Sequence, residues 1–292
     1  MSEGEIRLYD MTLMSALSDV DTDDKAKYRA EFGRRIAQTG IGNIFLGKLD
    51  TDQEDTLNAY RQLRSKDANF YVHVSDTDQC KAAMDAGVRN ISCDRWTVQG
   101  KKAMQRFLSG NYEHLVPFVT EVKNMVRGEE INVLPIVKAA FGYEKPEDTA
   151  SCFLSHSVVN AGAITTWSPE PVSCKDPCVD LVILEDTYGL GDMFEVEERV
   201  DCALNDYTGD TPRIGLAFRQ TKPNKAKANM TAALLGGVRD FAVSTEPVLF
   251  GTGVNSEEAF RFLEDNGYST GVDPERIGYL TREFSDFIGR KR

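Results

Sequence analysis

Lys138 is the only charge in the run from Val133 to Phe141 (VLPIVKAAF), which otherwise reads as a buried strand. A lysine placed there loses hydration, and desolvation lowers its pKa toward the neutral amine. A neutral amine adds to a carbonyl, and the resulting Schiff base draws electrons from a neighbouring carbon–carbon bond. The alternative is an ordinary ion pair with Glu185 or Asp186, which terminate the apolar run VDLVIL. Those carboxylates would hold the lysine in place or shuttle its proton. His73 sits inside the alternating stretch NFYVHV, either as a proton carrier or as a hydrogen-bonded core histidine. Arg219 follows the apolar run from Arg213 to Phe218 and can grip a carboxylate bidentately, with Gln220 beside it. Asp10 and Lys48 close two further apolar runs. The chemistry these residue types suggest is cleavage or formation of a carbon–carbon bond in a small anionic carbonyl compound. Lys138, Asp186, His73 and Glu185 are the candidate catalytic residues, and Arg219, Gln220, Asp10 and Lys48 the candidate substrate contacts.

The elements that must position them alternate. Strand patterns cover 5–12, 41–48, 69–74, 88–93, 130–141, 179–184, 213–218 and 240–244, and helical patterns fall between them. The helix expected over 99–127 is broken near Gly110, and that over 146–162 has proline in its first turn and glycine at its end. The stretch 164–178 is too polar and proline-rich for either element and reads as an inserted loop before the sixth strand. Two further helices, 256–266 and 274–289, close the chain. Eight β–α repeats with right-handed parallel crossovers predict one α/β domain over 1–292, a (β/α)8 TIM barrel with an inserted loop and extra C-terminal helices. In such a barrel the residues just past the strand ends carry chemistry. Those residues are Asp10, Lys48, His73, Asp94, Arg95, Lys138, Glu185, Asp186, Arg219, Gln220 and Glu246.

Composition narrows the partners. The 292 residues carry 41% hydrophobic and 27% charged residues and a formal charge of −12, which disfavours duplex nucleic acid and anionic membranes. No apolar run reaches the length of a membrane span, and the N-terminal residues lack a signal-peptide pattern, so the expectation is a cytoplasmic protein. Of six cysteines only Cys174 and Cys178 lie close together, with no second pair to complete a zinc site. Lys222, Lys225 and Lys227 follow Arg219 and read as a solvated cluster.

Several stretches together resemble the HMG-CoA lyase branch of the metal-dependent (DRE-TIM) lyases and synthases, which also include homocitrate and isopropylmalate synthases. They are LYDMTL at 8–13, FGYEKPEDTASCFLSHSVVNAGA at 141–163, EDTYGLGDMFEV at 185–196, AKANMTAALLGGV at 226–238 and the tail from 253 to 277. The resemblance implies a TIM barrel and a divalent metal assisting C–C cleavage, but its functional positions have changed. Where the family has an Arg-Asp pair after the first strand, this chain has Met14 and Ser15. Phe45 replaces a glutamate, and Phe218 and Gln220 replace a His-x-His pair. EPVLFGTG, at 246–253, lacks the catalytic cysteine of the lyases' mobile loop. Asn255 alone remains in register with a family metal ligand and joins the candidate substrate contacts. One amide is a poor site for a hard cation, so no metal and no other cofactor is expected. The resulting expectation is a divergent lyase or aldolase acting without metal on a small oxo acid or acyl thioester, possible as a homo-oligomer. The alternative is a non-catalytic binding or regulatory protein that keeps the barrel.

Overall fold

The computed structural model describes residues 5–15, 17, 24–63, 68–96, 117–138, 140–141, 180–205, 213–219, 223–245 and 254–291. The expected helix over 146–162, the inserted loop over 164–178, the break near Gly110, and Gln220 and Glu246 lie outside these residues.

Eight strands, β1 (Arg7–Asp10), β2 (Asn43–Lys48), β3 (Asn69–Val74), β4 (Asn90–Trp96), β5 (Asn132–Lys138), β6 (Leu181–Asp186), β7 (Arg213–Phe218) and β8 (Asp240–Ser244), pair in sequence order. All pairings are parallel, and β1 also pairs with β8, which closes the barrel. A short ninth strand, β9 (Val254–Asn255), adds to β8. The helices are α1 (Thr12–Ser15), α2 (Lys25–Gln38), α3 (Leu49–Gln62), α4 (Thr77–Asp85), α5 (Pro117–Met125), α6 (Met193–Asn205), α7 (Pro223–Leu235), α8 (Ser256–Asp265) and α9 (Pro274–Lys291). The fold is a (β/α)8 barrel. Among the described residues no helix is long and apolar enough to cross a membrane.

Alternation along each strand sorts the core into two layers. Even positions of β1, β6 and β7, such as Leu8, Val182, Leu184, Ile214 and Leu216, pack outward against the helices. Tyr9, Phe45, Tyr71, Leu134, Ile136, Leu181, Ile183, Ala217 and Ala242 point inward and form a separate cluster with Met11 and Met14. Barrel lumens usually hold layers of branched aliphatics; this one sets three aromatics, Tyr9, Phe45 and Tyr71, beside Leu134, Ile136, Leu181 and Ile183. Phe45 stacks on Tyr71 with centroids 5.1 Å apart, and Tyr9 lies 6.4 Å from Tyr71. Such ring pairs contribute about 0.5–1.5 kcal/mol each beyond the area they bury. The three rings find room because small partners, Ala217 and Ala242, belong to the same cluster on β7 and β8.

Below the rings, at the N-terminal end, Asp240 is 2% exposed and accepts from three neighbours. Arg7 bonds it through Nε and Nη2 (2.8 and 3.0 Å), Arg213 through Nη1 (2.5 Å), and the Tyr9 hydroxyl donates at 3.1 Å. Two guanidiniums therefore close the bottom of the lumen around one carboxylate. Burial, reinforced by Asp240, pushes the Tyr9 phenol far above its ordinary value.

On the outer side of β2 a buried arginine organises the entrance. Arg29 of α2 is 1% exposed, and its Nη1 donates to the carbonyls of Leu13 (2.7 Å) and Leu46. Its Nη2 donates to Asp52 Oδ2 at 3.0 Å. It thus ties α1, β2 and α3 together where the β2–β3 register shifts between Phe45 and Gly47. Gly47 leaves the space that the guanidinium fills.

Candidate active site

Four neighbouring strands bring a chain of polar groups together at the C-terminal end of the lumen. On β3 and β4, His73 pairs in register with Ser92, and its Nδ1 lies 3.1 Å from Ser92 Oγ. His73 Nε2 lies 3.5 Å from Asp94 Oδ2. Lys138 Nζ, from β5, stands 3.6 Å from Asp94 Oδ1 and 2.5 Å from Glu185 Oε2 on β6. Thr187 Oγ1 donates to the other Glu185 oxygen at 3.0 Å. The period of two places Ser92, Asp94, Lys138 and Glu185 on the lumen side, and the parallel register brings them to one height.

Electrostatics within this chain decide between the neutral amine and the ion pair. Burial favours neutral Lys138, but Glu185 and Asp94 outweigh it and hold the ammonium above the ordinary lysine value. Lys138 is therefore a cation clamped between two carboxylates, the ion-pair alternative with Glu185 as partner. Burial likewise opposes the charge on Asp94, yet His73, Lys138 and Lys48 hold its carboxyl down at about 2. His73, Lys138 and Glu185 are 1%, 6% and 3% exposed, whereas Asp94 is half-buried. Asp94 is thus the member of the chain that faces the mouth. Sequence reasoning marked it only as a strand end; the signal lay in its spacing of two from Ser92 in a strand that runs on to Trp96 instead of stopping at Cys93.

The remaining sequence candidates go elsewhere. Asp186 belongs to β6 rather than to a turn, and it faces out of the lumen. Its oxygens accept from the backbone N–H groups of Leu190 (2.9 Å) and Gly191 (3.2 Å), so it shapes the β6–α6 turn. Asp10 is fully buried on the outer side of β1, accepts from Thr12 N at 2.9 Å, and lies 3.5 Å from Ser256 Oγ. Asn255 caps α8, its Oδ1 accepting from Glu257 N and Glu258 N at 3.0 and 3.1 Å. Arg219 is exposed and donates from Nη1 to the Thr187 carbonyl at 2.9 Å. Lys48 is half-buried at the end of β2, in register with His73. The network thus holds His73, Lys138 and Glu185, with Lys48 and Arg219 on its rim.

Among the described residues, the side chains at the C-terminal end of the lumen do not fit a divalent cation. Met14 and Phe45 are buried in the lumen's apolar cluster, and Phe218 turns outward against Phe141, 6.0 Å between ring centroids. A cation would have to share Asp94 and Glu185 with the ammonium already between them. Among the described residues no group of three or more His, Cys, Asp or Glu is placed to hold a metal.

Asp10 and Asp186 give a pH prediction. Burial raises each carboxyl from 3.8 to about 6, only partly offset by hydroxyl and N–H donors at Asp10 and by N–H donors at Asp186. Between those values the folded state binds protons that the unfolded state has released, so stability falls as pH rises from 3.8 through about 6. Each group contributes on the order of 3 kcal/mol at most, at about 1.4 kcal/mol per pKa unit. Urea midpoints measured across this window should fall with rising pH, and Asp10→Asn should flatten the fall. An unchanged slope in Asp10→Asn would remove Asp10 as its source.

A closed parallel barrel with charged side chains gathered at its C-terminal end is a TIM barrel, the fold in which characterised enzymes place their active sites at that end. The solved structures it resembles include HMG-CoA lyases. The Brucella melitensis enzyme superposes with a TM-score of 0.76 at 16% identity, covering 98% of this chain and 99% of its own. The Pseudomonas aeruginosa enzyme gives 0.74 at 16%, covering 98% and 93%. That of Acinetobacter baumannii, solved with coenzyme A and 3-methylmalate, gives 0.75 at 16%, covering 99% and 93%. At these identities the likeness is one of fold. No protein-family model and no curated protein matches the chain.

Proposed function

We propose that this protein is a carbon–carbon lyase or aldolase that acts on a small oxo acid or acyl thioester without a metal. The observation that carries the reading is the Lys138 ammonium held between Asp94 and Glu185 at the C-terminal end of the lumen, with His73 against Asp94. Retro-aldol cleavage needs a cation near the carbonyl oxygen that becomes the enolate oxygen, and a base for the hydroxyl proton. Lys138 supplies the charge. Asp94, the member of the network that faces the mouth, is the group placed to accept the hydroxyl proton, with His73 against it from behind. Glu185 fixes the lysine, and Lys48 and Arg219 on the rim attract the substrate's carboxylate. The coenzyme A and 3-methylmalate bound by one lyase of this fold, and the pyruvate bound by the Rhizobium etli pyruvate carboxylase domain (TM-score 0.65), support the substrate class.

A second reading is favoured by the closure of the network on itself. His73, Lys138 and Glu185 are each almost wholly buried and mutually bonded, as in a structural ion cluster of a non-catalytic barrel. The test is a panel of hydroxy acids and hydroxyacyl-CoA thioesters, followed by NMR for the carbonyl product, in chelator and with borohydride. Turnover that persists in chelator and leaves no reduced lysine adduct is the expected result. A trapped adduct on Lys138 would restore the Schiff-base route. No turnover and no ligand-induced shift in melting temperature across the panel would favour the non-catalytic reading.

A further inference from the structure

The stretches EDTYGLGDMFEV and AKANMTAALLGGV lie on either side of β7 in the chain and meet in space. Carbonyls along the β6–α6 turn accept from side chains that follow β7. Arg219 Nη1 donates to Thr187 O (2.9 Å), Lys225 Nζ to Gly189 O (2.7 Å) and Leu190 O (3.0 Å), and Asn229 Nδ2 to Gly191 O (2.8 Å). Asp186 takes the N–H groups of Leu190 and Gly191, so the turn is bonded from two sides. Its end rests on Phe141, where a Cβ added to Gly191 would lie 3.0 Å from the ring atom Cγ. Asn229 is 2% exposed. Lys225, which the sequence places in a solvated cluster, is half-buried, whereas Lys227 is exposed. Fixing a lysine costs rotamer freedom, and charge-assisted bonds to two carbonyls offset that cost.

We infer that Lys225 and Asn229 of α7 are positioning residues for Lys138, acting through the β6–α6 turn. The turn begins with Thr187, whose hydroxyl donates to Glu185 Oε1 at 3.0 Å, while Glu185 Oε2 holds the Lys138 ammonium at 2.5 Å. Each oxygen of that carboxylate thus has one partner, and Thr187 reaches its oxygen only from the place in which the turn holds it. A loosened turn releases Oε1, and the carboxylate is then free to swing about its bond to the lysine. A lysine without a fixed carboxylate no longer presents its charge at one point of the lumen, and a preformed charge is what stabilises a developing enolate. For its effect on turnover the inference rests on the proposed function; the coupling from α7 to Lys138 is read without any substrate.

The test compares the full chain with Lys225→Met, which donates nothing, Lys225→Arg, which can still donate to two carbonyls, and Asn229→Ala. Two NMR readouts are taken on each. One is the ammonium signal of Lys138, assigned by its loss in Lys138→Met with Glu185→Gln; the other is amide exchange at Leu190 and Gly191. In Lys225→Met the Leu190 and Gly191 amides are expected to exchange about tenfold faster or more, and the Lys138 signal to broaden or vanish. Lys225→Arg should restore both, and Asn229→Ala should show the same changes at smaller size. On any substrate the parent cleaves, Lys225→Met should lower kcat with KM little changed, and Lys225→Arg should recover it. Faster exchange in the turn with an unchanged Lys138 signal would make Lys225 a support of the turn alone and overturn the inference. So would unchanged exchange, or a parent in which Lys138 gives no protected signal. Absence of turnover across the whole substrate panel would instead count against the proposed function and leave the ammonium readout to decide the coupling.

Discussion

Lys138→Met is expected to cost about 3–5 kcal/mol of folding stability, the usual penalty for removing one partner of a buried ion pair. The size follows from what remains behind. Glu185 would stay 3% exposed with, among the described residues, only the Thr187 hydroxyl bonding its side chain, and Asp94 would lose one of the cations that hold its carboxyl at about 2. The loss should appear as a lower urea midpoint at unchanged slope. Adding Glu185→Gln removes the stranded charge, so the double variant should recover most of the stability. Turnover then separates a chemical from a structural lysine. The double variant, folded but without its cation, should stay inactive on any substrate the parent cleaves. If it regains both stability and turnover, Lys138 only supports the barrel; if the single variant is as stable as the parent, the clamp is not formed.

The second large effect is expected at Arg29. Arg29→Met is close in length but donates nothing, so it strands the carbonyls of Leu13 and Leu46 and takes from Asp52 its shorter ion pair, leaving Lys25 at 3.5 Å. A loss of about 3–5 kcal/mol is again expected, well above the ~0–1 kcal/mol of an exposed pair. Because Arg29 joins α1 to β2, the variant should also expose the α1 region, read as faster amide exchange at Met14, whose N–H bonds Met11 O at 3.1 Å. A loss below about 1 kcal/mol would place the junction's stability elsewhere.

The barrel was legible in the sequence because parallel strands buried on both faces read as apolar runs, and the helices between them keep a period near 3.6. Strand ends were less so. The runs ended for the eye at Cys93 and Leu184, but the backbone pairing carries β4 on to Trp96 and β6 to Asp186. That difference hid the role of Asp94 and placed Glu185 and Asp186 together, although adjacent residues of a strand face opposite ways. The charge on Lys138 was left open for another reason. Desolvation can be read from flanking apolar residues, whereas which carboxylate meets the lysine, Glu185 47 positions later or its neighbour Asp186, is settled only once β5 and β6 are neighbours. Arg29 carries no mark in the sequence, because two of its acceptors are backbone carbonyls that no sequence pattern marks.

The close fit between Arg29 and Gly47 has a consequence for how this sequence can diverge. A Cβ at residue 47 would lie 2.5 Å from Thr56 Oγ1 and nearer still to Arg29 Nη1. A larger residue at 47 is therefore tolerated only after position 29 has shrunk, and shrinking position 29 first strands the carbonyls it serves. Each single step leads downhill in fitness while the combined change need not, so the two sites are locked in reciprocal epistasis. Lineages that share the glycine are expected to share the arginine, and the two should be replaced together or not at all.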